Sequence, residues 1–183
     1  MQAFFESLGI EHWMAMGSAL LALASFVLNI RLVNRQEKRD AVAMKLAHDS
    51  DVIRWADEAI ALLASAQEMI AEKGVSYAEA DFAVRRSSIR SHLSALIDRG
   101  RLFFPNIVND DHGKDNEAGY QGHRQPALDA LVGAYDLMAK AGMSPGPDKP
   151  AVENLRKIRR TFLAEVFQAV DPVRRGEKIK EFA

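Results

Sequence analysis

The chain has 183 residues, with 24 Lys plus Arg against 25 Asp plus Glu, a net charge of −1 and no cysteine. That balance gives no overall pull toward nucleic acid. The missing thiols remove disulfides, thiolate zinc sites and thiol catalysis.

The first element is apolar. Trp13 to Ile30 contains no charged residue, and at about 1.5 Å per residue such a helix is roughly 27 Å long, close to the hydrocarbon thickness of a bilayer. Arg31 can snorkel to the interface and let Leu32 and Val33 extend the run, so a transmembrane helix is expected over 13–33. A cleaved export signal fits less well, because Glu6 and Glu11 precede the run and no Lys or Arg occurs before Arg31. A buried core helix is the competing reading, since Ala, Gly and Ser keep the segment only moderately apolar. Trp13 suits one membrane interface, and Arg31, Arg35, Lys38 and Arg39 crowd the other. The positive-inside rule then places residues 1–12 outside and 34–172 in the cytoplasm of a bacterial inner (plasma) membrane, with 173–183 as a charged tail.

Ser18, Ala22, Ser25 and Asn29 are spaced by fours and threes along this helix and share one face. Small residues let membrane helices approach closely, and Ser or Asn can hydrogen-bond across the contact. A homo-oligomer interface on that face is the reading they support.

No Pro or Gly falls between Val33 and Lys73, so the helix is expected to continue out of the bilayer as a stalk. Val42, Leu46, Ile53, Ala56, Ile60, Leu63 and Ile70 form its stripe, with Trp55 beside it. Gly74 stops it. Ser76 and Glu79 read as a capping box opening a second helix, which turns Phe82, Ile89, Leu93 and Leu96 inward and ends at Gly100. A third helix starts near Pro126 and carries Leu128, Leu131, Val132, Tyr135 and Met138. A fourth starts near Pro150, carries Leu155, Ile158, Phe162, Val166 and Val170, and stops at Asp171-Pro172. About 150 residues follow the anchor, enough for one core. The fold class is therefore all-α: one transmembrane helix continuing into an antiparallel bundle of about four helices.

The connection over 100–125 is long for a compact domain. Phe103 and Phe104 in its first half suit a plug at the end of the bundle. Asp110, Asp111, His112 and His123 in its second half suit a solvated tip or, as the sharper alternative, a ligand site. The spacing matches no defined metal loop, and no cofactor is called for.

The nucleotide-binding, zinc-protease and serine-hydrolase signatures do not occur. One pattern remains. Arg86 and His92 of "RRSSIRSH" sit on the second helix. That stretch resembles the Arg–His motif of HEPN-type ribonucleases, and the resemblance covers these few residues only. It implies an alternative: a membrane-tethered ribonuclease in which Arg86 and His92 act on a phosphodiester, completed by a second copy. Basic residues at 156–160 and 174–180 alternate with acids and read as a solvated face, so no nucleic-acid partner is expected from them. The leading expectation is a membrane-anchored module that self-associates and signals, scaffolds a cytoplasmic protein partner or perturbs the membrane, without catalysis of its own.

Overall fold

The computed structural model describes residues 10–73, 75, 78–142, 146 and 148–170. Among them are four α-helices, α1 (Ile10–Ala71), α2 (Glu79–Gly100), α3 (Pro126–Lys140) and α4 (Lys149–Val170). A 3-10 turn spans Ala118–Tyr120, a single antiparallel bridge joins Ile107 to His123, and no strand occurs among the described residues. The chain is all-α. It divides into two compact units, one through Ala47 and one from His48. Packing thus changes at 47/48, whereas hydropathy changes near Val33.

In the first unit α1 is one uninterrupted helix over the described residues. From 12 to 47 its side chains are exposed, apart from Val42 and Leu46, which are half-buried.

In the second unit α1 buries one seam: Asp49, Val52, Ala56, Ala59, Leu63, Ala66 and Ile70. The alternation of threes and fours keeps these residues on one side. Ile53 and Ile60 of the predicted stripe flank that seam, half-buried. Ala59 and Ala66 hold central places in the seam and are fully buried.

Trp55, beside the predicted stripe, is buried in the core, with 1% of its surface exposed. Its Nε1–H donates to the carbonyl of Leu96 at 2.9 Å, which satisfies the one polar atom of a buried indole. Phe103, Phe104 and Phe162 surround it, with ring centroids 5.9, 5.4 and 5.4 Å away.

Gly100 also does more than end a helix. A Cβ there would come within 2.5 Å of Trp55 Cζ2 and 2.6 Å of Leu128 Cδ2. Only hydrogen fits between the indole and α3.

α2 packs against α3 and α3 against α4. α2 buries Phe82, Ile89, Leu93 and Leu96 as expected, together with Ile97. Its start differs from the capping-box reading. Ala78 is the N-cap, extended at φ −66°, ψ 156°, with no side-chain cap, and Glu79 is the first helical residue rather than the third. Ser76 and Gly74 lie outside the described residues. Pro126 opens α3 at the favoured position. α4 starts one residue before Pro150 and is capped by Asp148, whose Oδ1 accepts the Ala151 N–H at 3.1 Å. Its inward face is Leu155, Phe162, Val166 and Val170, with Ile158 half-buried. The expected stop at 171–172, the tail at 173–183 and residues 1–9 fall outside the described residues.

Candidate functional site

Two places carry groups that the folded core does not use: the apolar stretch of α1 in the first unit, and the loop between α2 and α3 in the second.

The apolar stretch is long enough to cross a membrane, and none of its apolar window is buried inside the structure. Leu20, Leu21, Phe26 and Leu28 are each about three-fifths exposed or more. Trp13, at one end, and Arg31, Arg35, Lys38 and Arg39, after the other, are exposed as well. Ser18, Ala22, Ser25 and Asn29 lie along one side, since eleven helical residues return to within about 20° of the starting direction. The Ser18 hydroxyl donates to the carbonyl of Ala15 at 2.9 Å. Its proton is thus satisfied within its own helix, which leaves Asn29 as the stronger polar group on that side.

The loop is built from side chains that hydrogen-bond backbone. Phe104 is buried and Phe103 half-buried against Trp55, so the apolar half closes one end of the core. Ile107 and His123 then exchange both backbone bonds at 2.8 Å, drawing the two ends of the polar half together. Gly122, at φ 78°, makes this approach possible, because a Cβ there would strike the carbonyl of Ile107. Inside the polar half Gln121 Nε2 donates to the carbonyls of Lys114 and Asn116 at 3.3 and 2.9 Å. Gln125 Nε2 donates to the carbonyl of Pro105 at 2.9 Å. Asp110 Oδ1 accepts the N–H of His112 at 2.9 Å, an Asx turn.

Asp110 Oδ2 meets His123 Nε2 at 2.9 Å. The hydrogen bond from the His123 ring, followed by the His112 backbone N–H, holds the Asp110 carboxyl below its usual range. An ionised carboxylate only accepts, so Nε2 carries the proton in this pair. The His112 and His123 rings are stacked at 4.4 Å, with planes 14° apart. Parallel stacked rings do not aim their nitrogens at a common point, and no metal-holding group of three or more His, Asp or Glu occurs among the described residues.

These rings border a cleft of about 370 Å³ together with Arg101, Asn106, Asn116 and Arg124. The Arg101 guanidinium lies 4.2 Å above the Tyr120 ring and reaches Asn106 Oδ1 at 3.3 Å. Arg124 pairs with Asp129 at 3.5 Å, in the first turn of α3.

Arg86 and His92 are not brought together. Six residues apart on α2, they point about 120° away from each other. The Arg86 NH1 group donates to the carbonyl of Ala141. His92 is exposed on a groove between α1 and α2, lined by Ala61, Leu62, Ala95 and Leu96 and bordered by the Glu58–Arg99 ion pair.

No protein family matches this chain, and no curated protein or solved structure is significantly similar to it.

Arg101, Asn106, Asn116 and Arg124 line this cleft without belonging to the predicted residues of the loop. Arginine and asparagine are common in exposed loops, so their type alone marks no site. The usable signals were the glycines at 113 and 122, both at positive φ, which mark a loop folded tightly on itself.

Proposed function

We propose that the chain is a single-pass inner-membrane protein. In this reading residues 13–33 span the bilayer and 34–172 form a cytoplasmic body, arranged as an antiparallel bundle. The protein self-associates through Ser18, Ala22, Ser25 and Asn29 and acts as a signalling, scaffold or membrane-effector module on a cytoplasmic partner, without catalysis of its own.

The observation that carries this reading is the bare apolar window of α1, with none of it covered by the rest of the structure. A helix with this much exposed apolar surface and no charge has its stable surroundings in lipid or another protein surface, not water. The cluster of four basic residues at the C-terminal end of the span, Arg31 within it and Arg35, Lys38 and Arg39 after it, supports the orientation. The small and polar face supports self-association: polar groups at membrane depth are costly when they face lipid, and contacts between them are worth about 0.6–2 kcal/mol each.

The test is the mass of the full-length protein in mild detergent, corrected for bound detergent. A defined oligomer that dissociates in Asn29→Leu is the expected result. A monomer, or a protein soluble without detergent, overturns the reading. Orientation is checked on the same material, because the chain has no cysteine and a single introduced one is uniquely labelled. With a membrane-impermeant maleimide on intact cells, Gln2→Cys is expected to react and Ser50→Cys to stay protected.

A further inference from the structure

The loop cleft presents donors to whatever occupies it. Arg101 and Arg124 contribute guanidinium groups, Asn106 and Asn116 carboxamides, and His112 and His123 imidazoles. Several of these retain bonding capacity. Neither ring nitrogen of His112 and neither proton of the Asn116 amide has a hydrogen-bond partner among the described residues, and the Asn106 amide reaches the Gly122 carbonyl only at 3.5 Å.

The opposing acids are weakly placed. Asp110 is engaged by His123. Asp129, also on the cleft wall, holds Arg124 at 3.5 Å with three-fifths of its side chain in solvent, and an exposed pair of this kind is weak. The N-terminal end of α3 lies beside Arg124 and adds the positive end of its dipole. Two guanidinium groups and at least two neutral donors converge on one small cleft. They suit the three oxygens of a phosphoryl group, for which guanidinium forks are the favoured partners.

We propose that this cleft binds a phosphate monoester, gripped by Arg101 and Arg124 and oriented by Asn106, Asn116 and the His112–His123 pair. The ester is either a small soluble metabolite or the headgroup of a phosphatidic-acid-like lipid. This proposal does not depend on self-association or on the span being inserted.

The test is calorimetric titration of the full-length protein in non-ionic detergent with inorganic phosphate and with O-phosphoserine. One saturable site is expected, and its affinity should fall as salt is raised, because guanidinium–phosphate contacts are screened. Arg101→Gln and Arg124→Gln should each weaken binding about tenfold or more, since each removes charge-assisted bonds. Asp129→Asn should tighten it, a change in the direction that misfolding does not produce. Lys114→Gln, on the loop but outside the cleft, should leave it unchanged.

Absence of binding, or affinity indifferent to both arginine substitutions, overturns the proposal. The source is then read from phosphatidylcholine vesicles with and without phosphatidic acid. Phosphatidic acid that displaces O-phosphoserine from wild type, but has no purchase on Arg124→Gln, assigns the site to a headgroup. Vesicles that leave the titration unchanged assign it to a soluble ester.

Discussion

The two units contain the same motif on the same helix and surround it differently. In the first, Ser18, Ala22, Ser25 and Asn29 form a small-residue line that is exposed among the described residues. In the second, Ala56, Ala59, Leu63 and Ala66 form a similar line that is fully covered. The difference is legible on the opposite face. Behind the covered seam stand Asp51, Arg54, Asp57 and Glu58, all exposed, as on any helix lying on a water-soluble core. Behind the bare line stand Met16, Leu20, Leu23 and Val27, all exposed, which are no better matched to water than the line itself. Spacing of small residues therefore says that a close approach is possible, and the far side of the helix says in which solvent.

Substitutions that strike one region and spare the other test this contrast. Trp55→Ala has the largest expected effect. Truncating a buried aromatic costs about 3–5 kcal/mol, so the thermal transition of the body should fall steeply or vanish while extraction into detergent is unchanged. Gly100→Ala comes next. Crowding of the indole and Leu128 costs about 1–3 kcal/mol, and the better helix propensity of Ala returns at most about 1 kcal/mol. A denaturant midpoint below wild type is the expected outcome, and an unchanged midpoint would show that Trp55 yields.

Asn29→Leu should do the reverse. The melting of the body stays put while the detergent-solubilised assembly loosens by the worth of one polar contact, about 0.6–2 kcal/mol. A lowered melting temperature would mean that the two units are not energetically separate.

Asp110→Asn has the smallest effect and a definite sign. The folded carboxyl sits below its ordinary 3.8. Its contribution is therefore complete above 3.8 and fades as the pH falls through the lower folded value. Wild type should lose slightly more stability than the variant between pH 5 and pH 3, as measured by urea midpoints, and the two should run parallel above pH 5.

Helix content and most inward-facing large side chains could be read from the sequence, because Leu, Ile and Phe at threes and fours leave little choice. Three kinds of residue escaped. Alanines such as Ala59, Ala66 and Ala134 are buried for their smallness, which no hydropathy pattern rewards. Trp55 stood one place off the apparent stripe, since a long side chain reaches the core from a direction where Ile would not. Lys73 and Asp49 are buried at the two ends of the seam, and charge alone argues for solvent. The loop was harder still. Its order comes from amides and carboxylates bonding to backbone within 101–125, and polar composition reads the same whether those bonds form or water takes their place.

The chain contains two tryptophans, and the fold assigns one to each unit: Trp13 about half exposed on the apolar stretch, Trp55 enclosed by phenylalanines. The molecule thus has two built-in optical channels. Emission from a Trp13→Phe variant follows only the melting of the body, and emission from Trp55→Phe reports only whether a brominated lipid tail comes within quenching range of the apolar stretch. Folding and insertion can be watched independently, without a dye.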